Sequence, residues 1–148
     1  MTVEEPAPGS FGSSPERFEQ VIQVEAPDID ELGHVNNIVY VRWVQEVATA
    51  HWRSAATAAQ QAEVVWVVVR HEIDYKLAAL LGDEILARTW VGTAAGLTFE
   101  RHTEFVRARD HQLLARARTL WCPVDARTGR PRRVSAEVRE RFSVRAPE

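Results

Sequence analysis

The chain has one cysteine in 148 residues, so it has no internal disulfide framework and no cysteine metal cluster. No apolar run reaches the roughly 18 residues that a membrane-spanning helix needs. No charged-then-apolar signal segment opens the chain, and a cytoplasmic location is the default expectation. Formal net charge is −3, which gives no global pull toward nucleic acid or an anionic membrane. Lys76 stands alone against seventeen arginines, a skew we read as codon usage before function. H-E-x-x-H, C-x-x-C and carboxylate–histidine spacings for a metal are missing, as are a G-x-S-x-G elbow and a glycine-rich phosphate loop.

Apolar residues make up 45% and charged residues 26%, the balance of an ordinary globular protein with a core of its own. Residues 1–15 combine Pro, Gly, Ser and Glu with little to bury, and read as a disordered tail before a single domain over 16–148. A first strand is expected in RFEQVIQVE (17–25), followed by a loop rich in turn formers. Tyr40, Trp43, Val44, Val47 and His51 recur at spacings of three and four. They predict a helix from 37 to about 59, apolar nearly all round and therefore buried, with Asn36 or Asn37 as N-cap and QQAE marking its end. Four strands follow. In the first, Val67, Val69, His71, Ile73 and Tyr75 share one face. Turns are expected at Gly82-Asp83, Ala94-Gly96 and Arg109-His111, with a short helix over 135–142 capped by Ser135. One antiparallel sheet wrapping one helix fits that order, and its free edge and outer face suit a homo-oligomer.

The most informative stretch is DIDELGHVNNIVYVRWVQE (28–46), which sets Asp30 and Gly33 directly before the long helix. A helix N-terminus offers orphaned N–H groups and partial positive charge, and a carboxylate beside it offers a base or a nucleophile. The residues alone leave a second reading open, in which Asp30 only caps a turn.

Asp30, Gly33, Tyr40 and Trp43, with His34-Val35-Asn36-Asn37 and Glu46, resemble the motif of hotdog-fold acyl-CoA thioesterases. The nearest group is that of 4-hydroxybenzoyl-CoA thioesterase and its YbgC/FadM-like relatives. Tyr75, Gly82-Asp83-Glu84 and Asp125 with Thr128-Gly129-Arg130-Pro131 also fit, so the resemblance covers about residues 17–142. It implies an α+β hotdog fold, a five-stranded antiparallel sheet wrapped around one long central helix. It also implies cofactor-free hydrolysis of an acyl-CoA or acyl-carrier-protein thioester, in a homodimer or homotetramer whose subunits share each site. Thr49 stands where the family often has Arg, and Leu32 where plant members have Asn, which favours the simpler bacterial arrangement with Asp30 as the main catalytic group.

On that resemblance Asp30 activates water or attacks the acyl carbon, and the backbone N–H near Asn37 binds the oxyanion. His34 either orients Asp30 or polarises the thioester, or serves the loop as a packing and hydrogen-bonding residue. Gly33 permits close approach of the acyl group. Tyr40 and Trp43 line the core or the acyl pocket, and Glu46 is either a second acid or a paired structural residue. Arg101, Arg107, Arg109, Arg130, Arg132 and Arg133 either reach CoA phosphates or a carrier protein, or form a solvated face. Two rivals stand beside this reading. A hotdog dehydratase would carry a catalytic histidine in a Gly/Pro-flanked loop, which is missing here. A non-catalytic acyl-thioester-binding hotdog protein would lack the motif carboxylate or carry an added DNA-binding segment.

Overall fold

The computed structural model describes residues 16–142, so the expected tail over 1–15 lies outside the described residues. Strand β1 (Phe18–Gln23) leads through a 3-10 turn at Ala26–Asp28 to helix α1 (Asn37–Ala55). Helix α2 (Ala58–Glu63) runs directly into β2 (Val64–Tyr75). Strands β3 (Glu84–Ala95), β4 (Thr98–Arg107) and β5 (Leu113–Asp125) and helix α3 (Ala136–Arg141) complete the chain. The five strands form one sheet in the order β1-β3-β4-β5-β2, with every neighbour antiparallel. This is the expected α+β hotdog architecture.

Helix α1 buries a continuous stripe of Val39, Tyr40, Trp43, Val44, Val47, Ala48 and His51 against the sheet. The stripe interlocks with Ile85, Ala87, Phe105, Leu114 and Ala117 from β3, β4 and β5. A second core, Val64, Val91, Phe99, Val138 and Phe142, closes the far end beneath α3. The helix is not apolar all round: Arg42, Gln45, Glu46, Thr49 and Arg53 lie on its outer side, as does Ile38 at 71% exposure. Within one chain the sheet covers only one side of α1.

The predicted helix of 37–59 is two helices. Trp52 C=O accepts the Ala56 N–H at α1's end. Thr57 then starts α2 with a capping box, its Oγ1 accepting from Gln60 N–H while Gln60 Oε1 accepts from Thr57 N–H. The QQAE segment therefore lies inside α2.

Strand β2 pairs with β5 and not with β3, so the segment from Lys76 to Asp83 crosses the end of the sheet instead of closing a hairpin. On the way Ala79 is fully buried, and its C=O accepts the Val35 N–H beside the start of α1. A register shift between Val68 and Arg70 changes the phase of β2. Val64, Trp66 and Val68 precede it on the core face, and His71 and Ile73 follow. Val65, Val67 and Val69 point to solvent, at 49%, 48% and 63% exposure. The expected placement of Val67 and Val69 with His71 fails because one extra residue reverses the alternation.

Candidate active site

The loop before α1 is a closed miniature hairpin. Ile29 and Val35 form an antiparallel bridge. Asp30 N–H donates to His34 C=O at 2.9 Å, and Gly33 N–H to Asp30 C=O at 3.0 Å. Gly33 sits at φ +80°, which a residue with a Cβ adopts only under strain. Asp30 Oδ1 accepts the Leu32 N–H at 2.9 Å, an Asx turn, and no described residue donates to Oδ2. The turn-forming and chemical readings of Asp30 are thus compatible: one oxygen holds the turn and the other is uncommitted.

Asn36 is the N-cap, its Oδ1 accepting the Ile38 N–H at 3.1 Å. Asn36 N–H donates to Asp28 C=O, so the chain enters the helix in a fixed direction. Asn37 is the first helical residue, and its N–H has no acceptor among the described residues. The Asn37 C=O accepts the Tyr75 phenol at 3.0 Å, which ties the helix start to the end of β2.

Asp30, Gly33, His34 and Asn37 therefore belong to one loop and helix start, with the His34 residue exposed. The remaining candidates lie deeper or elsewhere. Tyr40 and Trp43 are each 2% exposed, packed edge-on to one another and against Phe105. Burial pushes the Tyr40 phenol up to about 12, so it is neutral at physiological pH. Tyr40 also packs edge-on to Tyr75, which links it to the helix start. Glu46 lies on the exposed side of α1, 3.3 Å from Arg42 Nε.

Sequence reasoning misses Asp28, the acid that anchors this loop. Asp28 is 5% exposed. Its Oδ2 accepts the Glu25 N–H at 3.0 Å, and its Oδ1 accepts from Arg42 Nη2 at 2.9 Å. Pro27 within the E-A-P-D run is the available signal for a turn capped by Asp28. Arg101 also departs from expectation. It does not belong with the surface arginines, being only 7% exposed. Its alternation with Phe99, Thr103 and Phe105 puts it on the core face of β4, and the period of two is the signal. Arg107 and Arg132 are ion-paired with Asp83 and Asp110, and with Asp125, respectively.

Comparison with known proteins agrees with this fold. The fold is similar to that of Slr0204, a 1,4-dihydroxy-2-naphthoyl-CoA thioesterase from Synechocystis, with 21% identity and TM-score 0.75, covering 86% of this chain and 96% of that one. It is also similar to the dynemicin thioesterase, with 21% identity and TM-score 0.78, covering 90% of this chain and 99% of that one. A third similar structure is a thioesterase from Thermus thermophilus complexed with coenzyme A and Zn, with 22% identity and TM-score 0.73, covering 84% of this chain and 90% of that one. No curated protein sequence matches the chain. The antiparallel sheet on one long helix, together with the family match, defines a hotdog-fold thioester hydrolase. Residues 24–142 match the model of the thioesterase-like superfamily, and the chain belongs to that superfamily. Among the described residues no helix is long and apolar enough to cross a membrane.

Proposed function

We propose that the chain hydrolyses acyl-CoA thioesters in the cytoplasm, with Asp30 as base or nucleophile and the Asn37 N–H as oxyanion donor. The observation that carries this reading is the pairing of an uncommitted carboxylate oxygen with an unpaired helix N–H on one rigid segment. As a base, Asp30 Oδ2 takes a proton from water while the water oxygen bonds to the acyl carbon. As a nucleophile, Oδ2 attacks that carbon to give a mixed anhydride, which water then hydrolyses. In both cases the C–S bond breaks, the thiolate leaves, and the carbonyl oxygen gathers negative charge at the Asn37 N–H. His34 orients Asp30, Gly33 allows close approach of the thioester, and Tyr40, Trp43 and Glu46 supply the acyl-side surroundings. An acyl-carrier-protein thioester fits the same chemistry, whereas a non-catalytic binder has no use for the free Oδ2.

The working unit is a homodimer or a homotetramer. Among the described residues, strand β2 has a neighbour on one side only, carries three outward valines, and runs beside an α1 whose other side is open. A second β2 paired antiparallel there extends the sheet and supplies the missing wall of the site.

Two variants separate chemistry from architecture. Asp30→Asn keeps an oxygen to accept the Leu32 N–H but is neither base nor good nucleophile. Asp30→Ala loses both. Thiol release from an acyl-CoA panel should fall at least about 10²-fold in both variants, with the Asn variant retaining wild-type stability. Wild-type turnover by Asp30→Asn refutes the assignment. Single-turnover hydrolysis in ¹⁸O-water places label in Asp30 when a mixed anhydride forms and water opens it at the aspartyl carbon, an outcome the base route does not give.

A further inference from the structure

A mainly apolar pocket lies at the other end of α1. It has a volume of about 350 Å³ and opens between the C-terminal half of the helix and the sheet, walled by Trp52, Val64, Trp66, Phe99, Trp121 and Phe142. Its lining includes Arg101 and Arg53 and no aspartate or glutamate.

Arg101 is the unusual member. Its Nη1 donates to His51 Nδ1 at 3.0 Å and to Thr89 Oγ1 at 3.1 Å, and both of those partners are fully buried and neutral. Accepting at Nδ1 fixes the His51 proton on Nε2. Burial pushes the imidazole down to about 3, so His51 supplies no charge of either sign at neutral pH. The carboxylate of Glu16 lies on the far side of the imidazole, 3.9 Å from Nε2, and is shared with Arg141 at 3.6 Å. No described carboxylate pairs with Arg101 itself. A guanidinium stays charged even where burial depresses its pKa to about 10. Two further donors in the pocket wall, the indole N–H groups of Trp66 and Trp121, are buried without an acceptor. The pocket thus gathers donors and positive charge inside an apolar wall and leaves the acceptor and the negative charge to be supplied.

We propose that this pocket binds the carboxylate of an apolar acid of roughly a dozen non-hydrogen atoms, at the ~30 Å³ each occupies in a liquid, with Arg101 as the anchoring group. The guanidinium fork matches a carboxylate in shape and charge, and the tryptophan and phenylalanine walls match a hydrocarbon body. The acid arrives either free or as the far end of an acyl chain whose other end is the thioester. Binding of the free acid does not depend on the Asp30 mechanism.

The first measurement is titration of wild type with decanoate, decan-1-ol and methyl decanoate, followed by calorimetry and tryptophan fluorescence. Decanoate should bind at least about tenfold tighter than its two uncharged counterparts. Arg101→Met should lose that preference, and Arg101→Lys should keep part of it, because a point charge survives without the fork. Equal binding of acid and alcohol by wild type overturns the proposal without any variant, as does failure to bind decanoate. An acid preference that survives in a folded Arg101→Met protein overturns it as well. Turnover of the mono-CoA thioester of decanedioic acid against decanoyl-CoA separates the sources. A preference for the former that Arg101→Met abolishes assigns the carboxylate to the acyl tail. Equal turnover with tight decanoate binding assigns it to a free acid. Loss of activity in Asp30→Asn, or its absence, leaves the binding result untouched.

Discussion

Asp28 and Asp30 stand two residues apart and should fail in opposite ways when each is replaced by asparagine. Asp28 is buried and accepts two hydrogen bonds, from the Glu25 N–H and from Arg42. Asparagine keeps one acceptor and turns an NH₂ toward the other donor. A hydrogen bond to a charged group contributes about 1.5–3 kcal/mol. Arg42 is half exposed at 54%, so its share is screened toward the ~0.2–1 kcal/mol of a surface pair. Asp28→Asn should therefore destabilise by about 2–3 kcal/mol, or lower the melting temperature by roughly 5–10 °C for a chain of this length. Asp30 is only half buried, and asparagine reproduces its one hydrogen bond, so Asp30→Asn should shift stability by less than about 0.5 kcal/mol. Its effect belongs on turnover. Thermal melts and initial rates on both proteins test the crossing directly. If Asp30→Asn melts as low as Asp28→Asn, the negative charge of Asp30 holds the loop together and the carboxylate is not free for chemistry. If Asp28→Asn is as stable as wild type, the loop is not anchored as the geometry requires.

Tyr75→Phe removes the phenol that holds the Asn37 C=O, and should lower stability by about 0.5–1.5 kcal/mol while reducing kcat more than KM, checked by steady-state kinetics. His51 predicts a pH dependence. Its pKa is near 3 when folded and about 6.5 when unfolded, so the unfolded chain binds the extra proton between those values. Its contribution is complete above pH 6.5 and declines as pH falls toward 3, by up to about 1.4 kcal/mol per pH unit. Urea titrations across that window should show a steeper decline in wild type than in His51→Gln. Val67→Lys puts a charge on the open β2 edge, and should convert the assembly to monomers by light scattering and reduce turnover without unfolding the chain.

The helix and its N-terminal loop are legible in the sequence because both rest on local chemistry. The stripe from Tyr40 to His51 is spaced for one helix face, and Gly33 and Asn36 have the conformational and capping preferences that their positions demand. What is not legible depends on distant pairing. The Val69 irregularity is set by the register of β2 on β5, and nothing within VVWVVVRHEIDY reveals which valine is extra. The pairing of β2 with β5 instead of β3 is a choice among sheet orders that the strands' own residues do not express. The break at Ala56 is hidden for a different reason: T-A-A-Q carries a capping box, but an unbroken alanine-rich run masks it. Arg101 is misplaced when residue type is allowed to outweigh its position in an alternating strand.

In the proposed dimer, the two ends of α1 bear on one another. The 19 residues of α1 span roughly 28 Å at about 1.5 Å per residue, with Asp30 at one end and the Arg101 pocket at the other. A ligand of about a dozen atoms, the number that fits the pocket at ~30 Å³ each, cannot bridge them within one chain. Strand β2 runs between the same two ends, from Val64 and Trp66 at the pocket wall to Tyr75 at the helix start. An antiparallel β2 pair about a central twofold sets the first residues of one strand beside the last residues of the other. In such a dimer the pocket of one subunit and the Asp30 loop of its partner would lie at the same end of the paired strands. Dimerisation and acyl-tail recognition are then coupled, and Val67→Lys distinguishes them. A monomer that still binds decanoate but no longer prefers the carboxylated thioester places tail recognition across the subunit boundary. A monomer that retains the preference confines it to one chain.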